Sequence, residues 1–168
     1  RHSVDYPDGQ LLIALALAEL GRTYVAESSF PTALEFHRRS LDIRRKLFPQ
    51  PEFPVGHPVL ANALRDLGIT CLDAGEPAEA FRLLAESVGM EHAIGESFFG
   101  GGSEAQLLNL AARKFQSLGP LLQAWRQTGL PPDEVYQYVW MRHGFVPRLI
   151  ADRQHMLREL ARDTDPAT

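Results

Sequence analysis

The sequence predicts an all-α protein: a solenoid of helical hairpins with two repeats, followed by additional C-terminal helices. Apolar residues recur at the three- and four-residue spacing of helices, and the strict alternation typical of strands is nearly absent. Two segments, residues 16–43 and 63–90, match each other at an offset of 47 residues. Prolines and glycines separate the apolar segments, so each helix has a recognisable start and end.

Four helices are predicted in the first part of the chain. They cover residues 11–27, 31–48, 58–73 and 77–92. Asp8 is the candidate N-cap of the first helix, and each of the other three has a proline in its first turn. Gly75 follows the third helix and can adopt the left-handed conformation that ends many helices. Residues 49–58 hold four prolines and a glycine, which predicts a loop.

The C-terminal part is predicted to be helical as well, after a flexible glycine-rich joint at residues 95–102. Ser103 and Gln106 have the spacing of a capping box, so a helix follows them to about Thr128. Gly119-Pro120 interrupts that helix with a kink or a break, because proline removes a backbone hydrogen bond. Gly129 ends the segment. Two more helices run from Pro131-Pro132-Asp133-Glu134 to about Gly144 and over residues 146–163, before a polar tail at residues 164–168.

The two matching segments share the residues that pack a helical hairpin. In each copy two leucines are expected to fill the seam between the helices. A glycine lets the helices approach closely, and an alanine lies where the second helix crosses the first. The motif residues are Leu17, Leu20, Gly21, Tyr24 and Ala33 in the first copy, and Leu64, Leu67, Gly68, Cys71 and Ala80 in the second.

This pattern resembles the tetratricopeptide repeat (TPR). The loop that ends in His57-Pro58 is similar to that of the long-repeat subtype found in kinesin light chains and many bacterial regulators. The resemblance covers residues 10–92 and implies two repeats in a domain of residues 1–94. It implies binding of a protein or peptide rather than catalysis. A different paired-helix solenoid is the alternative that the residues leave open.

The resemblance also implies a concave binding face. Its positions hold Ala18, Arg22 and Val25 in the first repeat, and Arg65, Ile69 and Leu72 in the second. Arg22 and Arg65 could receive the carboxylate of an acidic or C-terminal peptide. The alternative is that both arginines are solvated or paired with neighbouring acids. The subtype often has asparagines where this chain has Ala18-Glu19 and Arg65-Asp66, which argues against clamping of a peptide backbone.

Residues 103–163 do not repeat the motif. They resemble the helical segment that links the repeats to the caspase-like protease domain of bacterial TPR–CHAT proteins. The matching residues are Ser103-Glu104-Ala105-Gln106, Leu130-Pro131-Pro132, Val135-Tyr136, Val139-Trp140, Gly144, Val146, Leu149 and Leu157-Arg158. The resemblance implies an extension that caps the repeats, with the protease domain beyond Thr168. His143 departs from the family, whose members often carry lysine there.

No catalytic residue, cofactor or metal site is expected in the chain. Cys71 precedes His143, the reverse of the caspase order, and neither follows a predicted strand. Cys71 occupies a motif position, so it is expected to face the seam and to be inert. The six histidines form no pair with the spacing that brings metal ligands together on one helical face. The triple glycine at 100–102 lacks the lysine of a phosphate loop.

The aromatic residues of the C-terminal part have two expected roles. Most of them, at helical spacing, are expected to lie in the core: Trp125, Tyr136, Tyr138, Trp140 and Phe145. Phe98 and Phe99 lie in the glycine-rich joint, where little local core is available. Exposed aromatics of this kind are often docking anchors, so we expect them to pack on the last helices or on a partner.

Composition narrows the class of protein. A hydrophobic content of 45% excludes wholesale disorder, and the net charge of −4 argues against nucleic acid as a partner. The basic residues between 38 and 46 are expected to form a solvated face. No apolar run is long enough to span a membrane. Because the chain begins at Arg1 without a signal segment, we expect a piece of a longer cytoplasmic protein. The TPR–CHAT resemblance implies that this protein is bacterial.

The predicted function is that of a non-catalytic scaffold for protein interaction and regulation. Its partner would be a protein or peptide, or a downstream domain of the same polypeptide. A free-standing TPR adaptor, a self-associating repeat protein and a small histidine-dependent metalloprotein are the alternatives.

Overall fold

The computed structural model describes residues 7–97 and 116–143 with residues 151, 154 and 155, and most of these residues are helical. The all-α prediction is confirmed, since no strand occurs among these residues. In chain order the helices are α1 (Pro7–Ala26), α2 (Phe30–Leu47), α3 (Pro58–Asp73), α4 (Pro77–Ser97), α5 (Leu118–Thr128) and α6 (residues 133–143). None of the described helices is long and apolar enough to cross a membrane.

Proline sets the helix starts, as predicted, with one correction in α1. The helix α3 begins at Pro58, and the imidazole of His57 caps it by accepting the Val59 N–H on Nδ1 at 3.2 Å. The helix α1 begins at Pro7 rather than at residue 11. Asp8 therefore lies inside the helix and is not its N-cap. The reason is that proline fits the first turn, where its missing N–H has no helical partner to lose.

The helices α1 and α3 end in the same way, at equivalent positions of the repeat. The residue after the C-cap is left-handed in both, with φ of 59° at Ser28 and 78° at Gly75. The next N–H then reaches back across the last turn, from Ser29 to the Tyr24 carbonyl and from Glu76 to the Cys71 carbonyl, at 2.8 Å each. Both hairpins therefore turn by the same backbone geometry.

Each hairpin is held by a close contact at the predicted glycine. A Cβ atom on Gly21 would overlap the imidazole ring of His37, and one on Gly68 would lie 2.7 Å from Leu84 Cγ. The alanines at the crossing, Ala33 and Ala80, are fully buried. The paired helices can approach this closely only because these four positions carry small side chains.

A serine reinforces each hairpin at the other end of the seam. Ser40 Oγ donates to the Ala14 carbonyl at 2.6 Å, and Ser87 Oγ donates to the Ala61 carbonyl at 2.9 Å. Both bonds are buried and join residues 26 apart in the chain. The second hairpin thus reproduces the first in its hydrogen bonding as well as in its packing.

Three of the four predicted seam leucines are buried, and the prediction is wrong for the fourth. Leu17, Leu64 and Leu67 lie in the core, whereas Leu20 is 45% exposed. Its counterpart Leu67 is covered by α2, the helix that precedes α3. The helix α1 is the first described helix, so no described element precedes it to cover Leu20.

The second hairpin is covered by α5 on the side of α4. Leu118, Leu121 and Ala124 of α5 are buried in the same core as α3 and α4. The buried hydroxyl of Ser117 lies 2.8 Å from Ser87 Oγ and donates to Glu91 Oε1 at 2.7 Å. Gly119 and Pro120, where a break was predicted, lie in the first turn of α5, which begins at Leu118.

The helix α4 extends further than predicted, to Ser97 instead of His92. Ile94 and Gly95 are buried, so packing continues the helix into residues that composition alone predicted to be part of a flexible joint. The rest of that joint, residues 98–102, lies outside the described residues. The helix predicted from residue 103 and the one predicted at 146–163 are likewise outside them, apart from residues 151, 154 and 155.

The helices α5 and α6 add to the same core beyond the two predicted repeats. Gly129 ends α5 with a left-handed φ of 69°, as Gly75 ends α3. The indole N–H of Trp125 donates to the Leu130 carbonyl at 2.8 Å, and Val135 of α6 is buried in the shared core. Helices packed on the shared core therefore continue past the two predicted repeats.

We predict that Gly21→Ala lowers the free energy of unfolding by about 1–3 kcal/mol, because the new methyl group overpacks the seam against His37. The matched control is Gly89→Ala in α4, where an added Cβ meets nothing within 4 Å. That substitution should stabilise by about 0.5–1 kcal/mol through helix propensity. Urea unfolding measures both, and equal stabilisation by the two substitutions would contradict close approach at Gly21.

Candidate protein-binding face

The candidate site is the surface where α1 and α3 lie side by side, here called the α1–α3 face. Polar side chains from the two helices bond to one another across it. Arg22 Nη1 donates to Asp66 Oδ2 at 3.1 Å, which links α1 to α3. Arg65 Nη1 donates to Gln116 Oε1 at 2.6 Å, which links α3 to the residues just before α5. Glu19 and Asn62 complete the face.

Arg22 is the accessible cation of the two predicted arginines. Its side chain is 49% exposed and forms ion pairs with Glu19 and Asp66. Hydrogen bonding to Glu19, its largest influence, raises the pKa of the guanidinium, so it is charged at all working pH values. Exposed ion pairs are worth only about 0.2–1 kcal/mol, so a partner's carboxylate can replace an existing one at low cost.

Arg65 is held more tightly and has a structural contact to lose. Its side chain is 18% exposed. Its guanidinium donates to Asn62 Oδ1 at 3.1 Å and to Asp66 Oδ1 at 3.4 Å, besides the bond to Gln116. Both arginines therefore pair with neighbouring acids, as the alternative interpretation of the sequence expected. Arg65 also links α3 to the residues just before α5.

Two of the positions predicted for the concave face are buried rather than presented on it. Leu72 is 8% exposed and belongs to the same core cluster as Leu118 and Leu121 of α5. Ala18 is also buried, and its carbonyl accepts a hydrogen bond from His37 Nε2 at 3.2 Å. Ile69 and Val25 remain half-buried. Phe98 and Phe99 lie outside the described residues, so their predicted docking role stays a prediction.

His37 is a structural residue that sequence reasoning missed. It belongs to α2 but is buried between α1 and α3, with Nε2 on the Ala18 carbonyl and Nδ1 2.9 Å from Thr70 Oγ1. Burial lowers its pKa below the ordinary value, which favours the neutral ring in the folded protein. One feature of the sequence could have indicated this role. At the offset of 47 residues His37 corresponds to Leu84, and each lies against the motif glycine of its hairpin, Gly21 or Gly68.

Arg44 departs from the predicted solvated basic face. Its side chain is 3% exposed, and Nη1 donates to the Val59 carbonyl at 3.3 Å. Burial lowers the pKa of its guanidinium, as removal of water disfavours the charged form. The other four basic residues of that segment are exposed, as expected: Arg38, Arg39, Arg45 and Lys46.

The chemistry of Cys71 fits a packed side chain rather than a nucleophile. The residue is fully buried, and burial raises the pKa of its thiol to about 11. The thiol is therefore protonated at neutral pH, whereas a nucleophilic cysteine reacts as the thiolate. His143, the other member of the rejected pair, is exposed near the end of α6. Within residues 7–97 and 116–143 no cluster of three or more histidine, cysteine or acidic side chains could hold a metal ion.

Two aromatic residues predicted to lie in the core are exposed instead. Tyr136 and Trp140, one turn apart on α6, are more than half exposed and stack with ring centroids 6.2 Å apart. With Asp133 and Gln137 they line a shallow groove of about 350 Å³. The opposite side of α6 packs inward, through Val135 in the core and through Tyr138 against Phe81 of α4.

Comparison with known proteins supports the first repeat. A family model for the tetratricopeptide repeat matches residues 13–58, which span most of α1, all of α2 and the loop to α3. No curated protein matches the chain. The second repeat rests on its structural correspondence to the first, at the glycine, alanine and serine positions of the seam. The chain thus contains a tetratricopeptide-type repeat within an all-α fold of packed helical hairpins.

Proposed function

We propose that this chain is a non-catalytic scaffold that binds a protein partner through the α1–α3 face. The observation that supports this most is the row of partly exposed polar side chains that crosses from α1 to α3. Such a face offers donors and acceptors at fixed positions on rigid helices, which suits recognition of an extended or helical segment.

Arg22 is the residue assigned to the partner's carboxylate, from an acidic side chain or a chain terminus. It is half exposed, and its ion pair with Glu19 is exposed enough to be exchanged. Arg65 and Ile69 flank it on α3 and contribute a second cation and a half-buried apolar surface. Leu72 supports the face from below, as a core residue.

More specifically, we propose that the chain is part of a larger bacterial protein of the TPR–CHAT type. Its role there would be to regulate a downstream protease domain. The support is the resemblance of residues 103–163 to the segment that precedes such a domain. In this form the partner includes that domain of the same polypeptide, and Phe98 and Phe99 are docking residues. The competing forms are a free-standing adaptor and a self-associating repeat protein.

The binding prediction is tested with Arg22→Gln. The probe is an array of peptides that carry acidic residues and free C-terminal carboxylates, each with an amidated counterpart. A ligand found in the array should bind the variant about tenfold or more weakly, because a charge-assisted hydrogen bond is lost. The matched control is Arg39→Gln, which removes an exposed, ion-paired arginine from α2. Equal weakening by both variants, or an array without a ligand, would contradict the assignment.

The TPR–CHAT proposal predicts that the native polypeptide is much larger than this chain. An antibody raised against this chain should detect, in the source cells, a band far above 18.8 kDa. A band at that mass would contradict the TPR–CHAT assignment and leave the free-standing adaptor. The result is independent of the Arg22 test, since an adaptor of either size can bind through the same face.

A further inference from the structure

A second surface of α1 is apolar and uncovered. Its residues lie along one side of the helix, and Leu12 and Ile13 are 67% and 55% exposed. We call this surface the α1 end face. It consists of Leu12, Ile13, Ala16, Leu20 and Thr23, all of which are exposed. A contiguous apolar stripe on a helix is unusual for a surface in contact with water and marks a docking site.

The second repeat shows the same stripe in its covered state. At the offset of 47 residues, four positions of the α1 end face correspond to residues of α3. These are Leu60, Ala63, Leu67 and Thr70, each at most 7% exposed. The side chains are nearly the same in kind and size at every position. The two stripes therefore differ in whether a helix covers them, rather than in their chemistry.

The helix that covers the α3 stripe is α2, and its contacts define the covering surface. Leu34 and Leu41 of α2 lie in the core cluster with Leu60 and Leu67. At one end His37 Nδ1 is 2.9 Å from Thr70 Oγ1, and at the other Arg44 Nη1 donates to the Val59 carbonyl at 3.3 Å. Because the later residue of α2 meets the earlier residue of α3, the two helices run antiparallel.

Thr23 repeats the polar detail of this interface. Its hydroxyl donates to the Glu19 carbonyl at 3.0 Å, just as the Thr70 hydroxyl donates to the Asp66 carbonyl at 2.9 Å. In α3 the same hydroxyl also contacts the imidazole of His37, which α2 supplies. In α1 the hydroxyl is exposed, at the position where a covering helix would present an equivalent side chain.

We infer that the α1 end face binds an antiparallel amphipathic helix with the chemistry of the inner face of α2, supplied by a further helical hairpin of the same kind. That helix carries apolar residues at positions i and i+7, a hydrogen-bonding side chain such as histidine at i+3 and a basic residue at i+10. The site continues the α2–α3 interface by one step along the array. It is distinct from the α1–α3 face and does not depend on the function proposed for that face.

A second copy of this chain offers a poorer fit. The inner face of α2 is already buried against α1 and α3 within each copy, so it is not free to cover another molecule. Two copies could still pair through α1 of each molecule. In an antiparallel pair of this kind, Thr23 of one copy would lie opposite Leu12 and Ile13 of the other. A helix like α2 fits the stripe better, because α2 already covers the corresponding stripe of α3.

The test uses the full chain and a helical peptide with the sequence of residues 30–47. The peptide is cross-linked on its outer side to hold the helix and carries a fluorescent label, and binding is read by anisotropy. The variant is Ile13→Glu with Leu20→Glu, and its control is Val55→Glu with Leu130→Glu. The control pair is also exposed and apolar but lies elsewhere on the surface. Thermal melting by circular dichroism establishes that both variants fold.

The inference predicts saturable binding to the unmodified chain and to the control, and binding at least about tenfold weaker to the α1 variant. A second peptide with Leu34→Asp and Leu41→Asp should bind none of the three proteins. Absence of saturable binding, or equal binding by the α1 variant, would overturn the inference. So would a dimer of the unmodified chain in light scattering that the α1 variant converts to a monomer, since a second copy would then be the occupant.

Discussion

Close approach of paired helices at Gly21 and Gly68 is the constraint on which the rest of the structure depends. With no side chain at Gly21, His37 of α2 reaches between α1 and α3 and joins both. The same approach at Gly68 admits Leu84 and leaves the thiol of Cys71 sealed in the seam. Two backbone positions without Cβ atoms thus determine both how each hairpin closes and how the first hairpin packs on the second.

Repetition of that geometry makes the ends of the array different from its middle. The helix α3 is covered by α2, α4 and the start of α5, and its partly exposed residues Asp66 and Arg65 bond to Arg22 of α1 and to Gln116. The helix α1 has the same pattern of residues but keeps Ile13 and Leu20 exposed. One face of the array therefore carries an exposed ion pair, Arg22–Glu19, and one end carries an uncovered apolar stripe.

The sequence predicted the fold well where a rule acts locally. Prolines at helix starts, Gly75 and Gly129 at helix ends and the small residues of the seams are all at the expected places. It failed where burial depends on neighbours remote in the chain. Leu20 and Leu67 are identical in motif yet differ in exposure, and Leu72 is buried in a core cluster that includes residues of α5, which the motif does not specify. The pairing of Arg22 with Asp66 also required the relative positions of two helices, because a helical pattern gives faces but not which faces meet.

Amide hydrogen exchange of the full chain, followed by mass spectrometry, tests the order of burial along the array most directly. The account predicts the slowest exchange in α3, which is enclosed on several sides, and clearly faster exchange in α1, although both helices have regular backbone hydrogen bonds. Exchange in α1 as slow as in α3 would contradict the account. It would mean that α1 is covered in solution, or that packing between the hairpins does not set the stability of each helix.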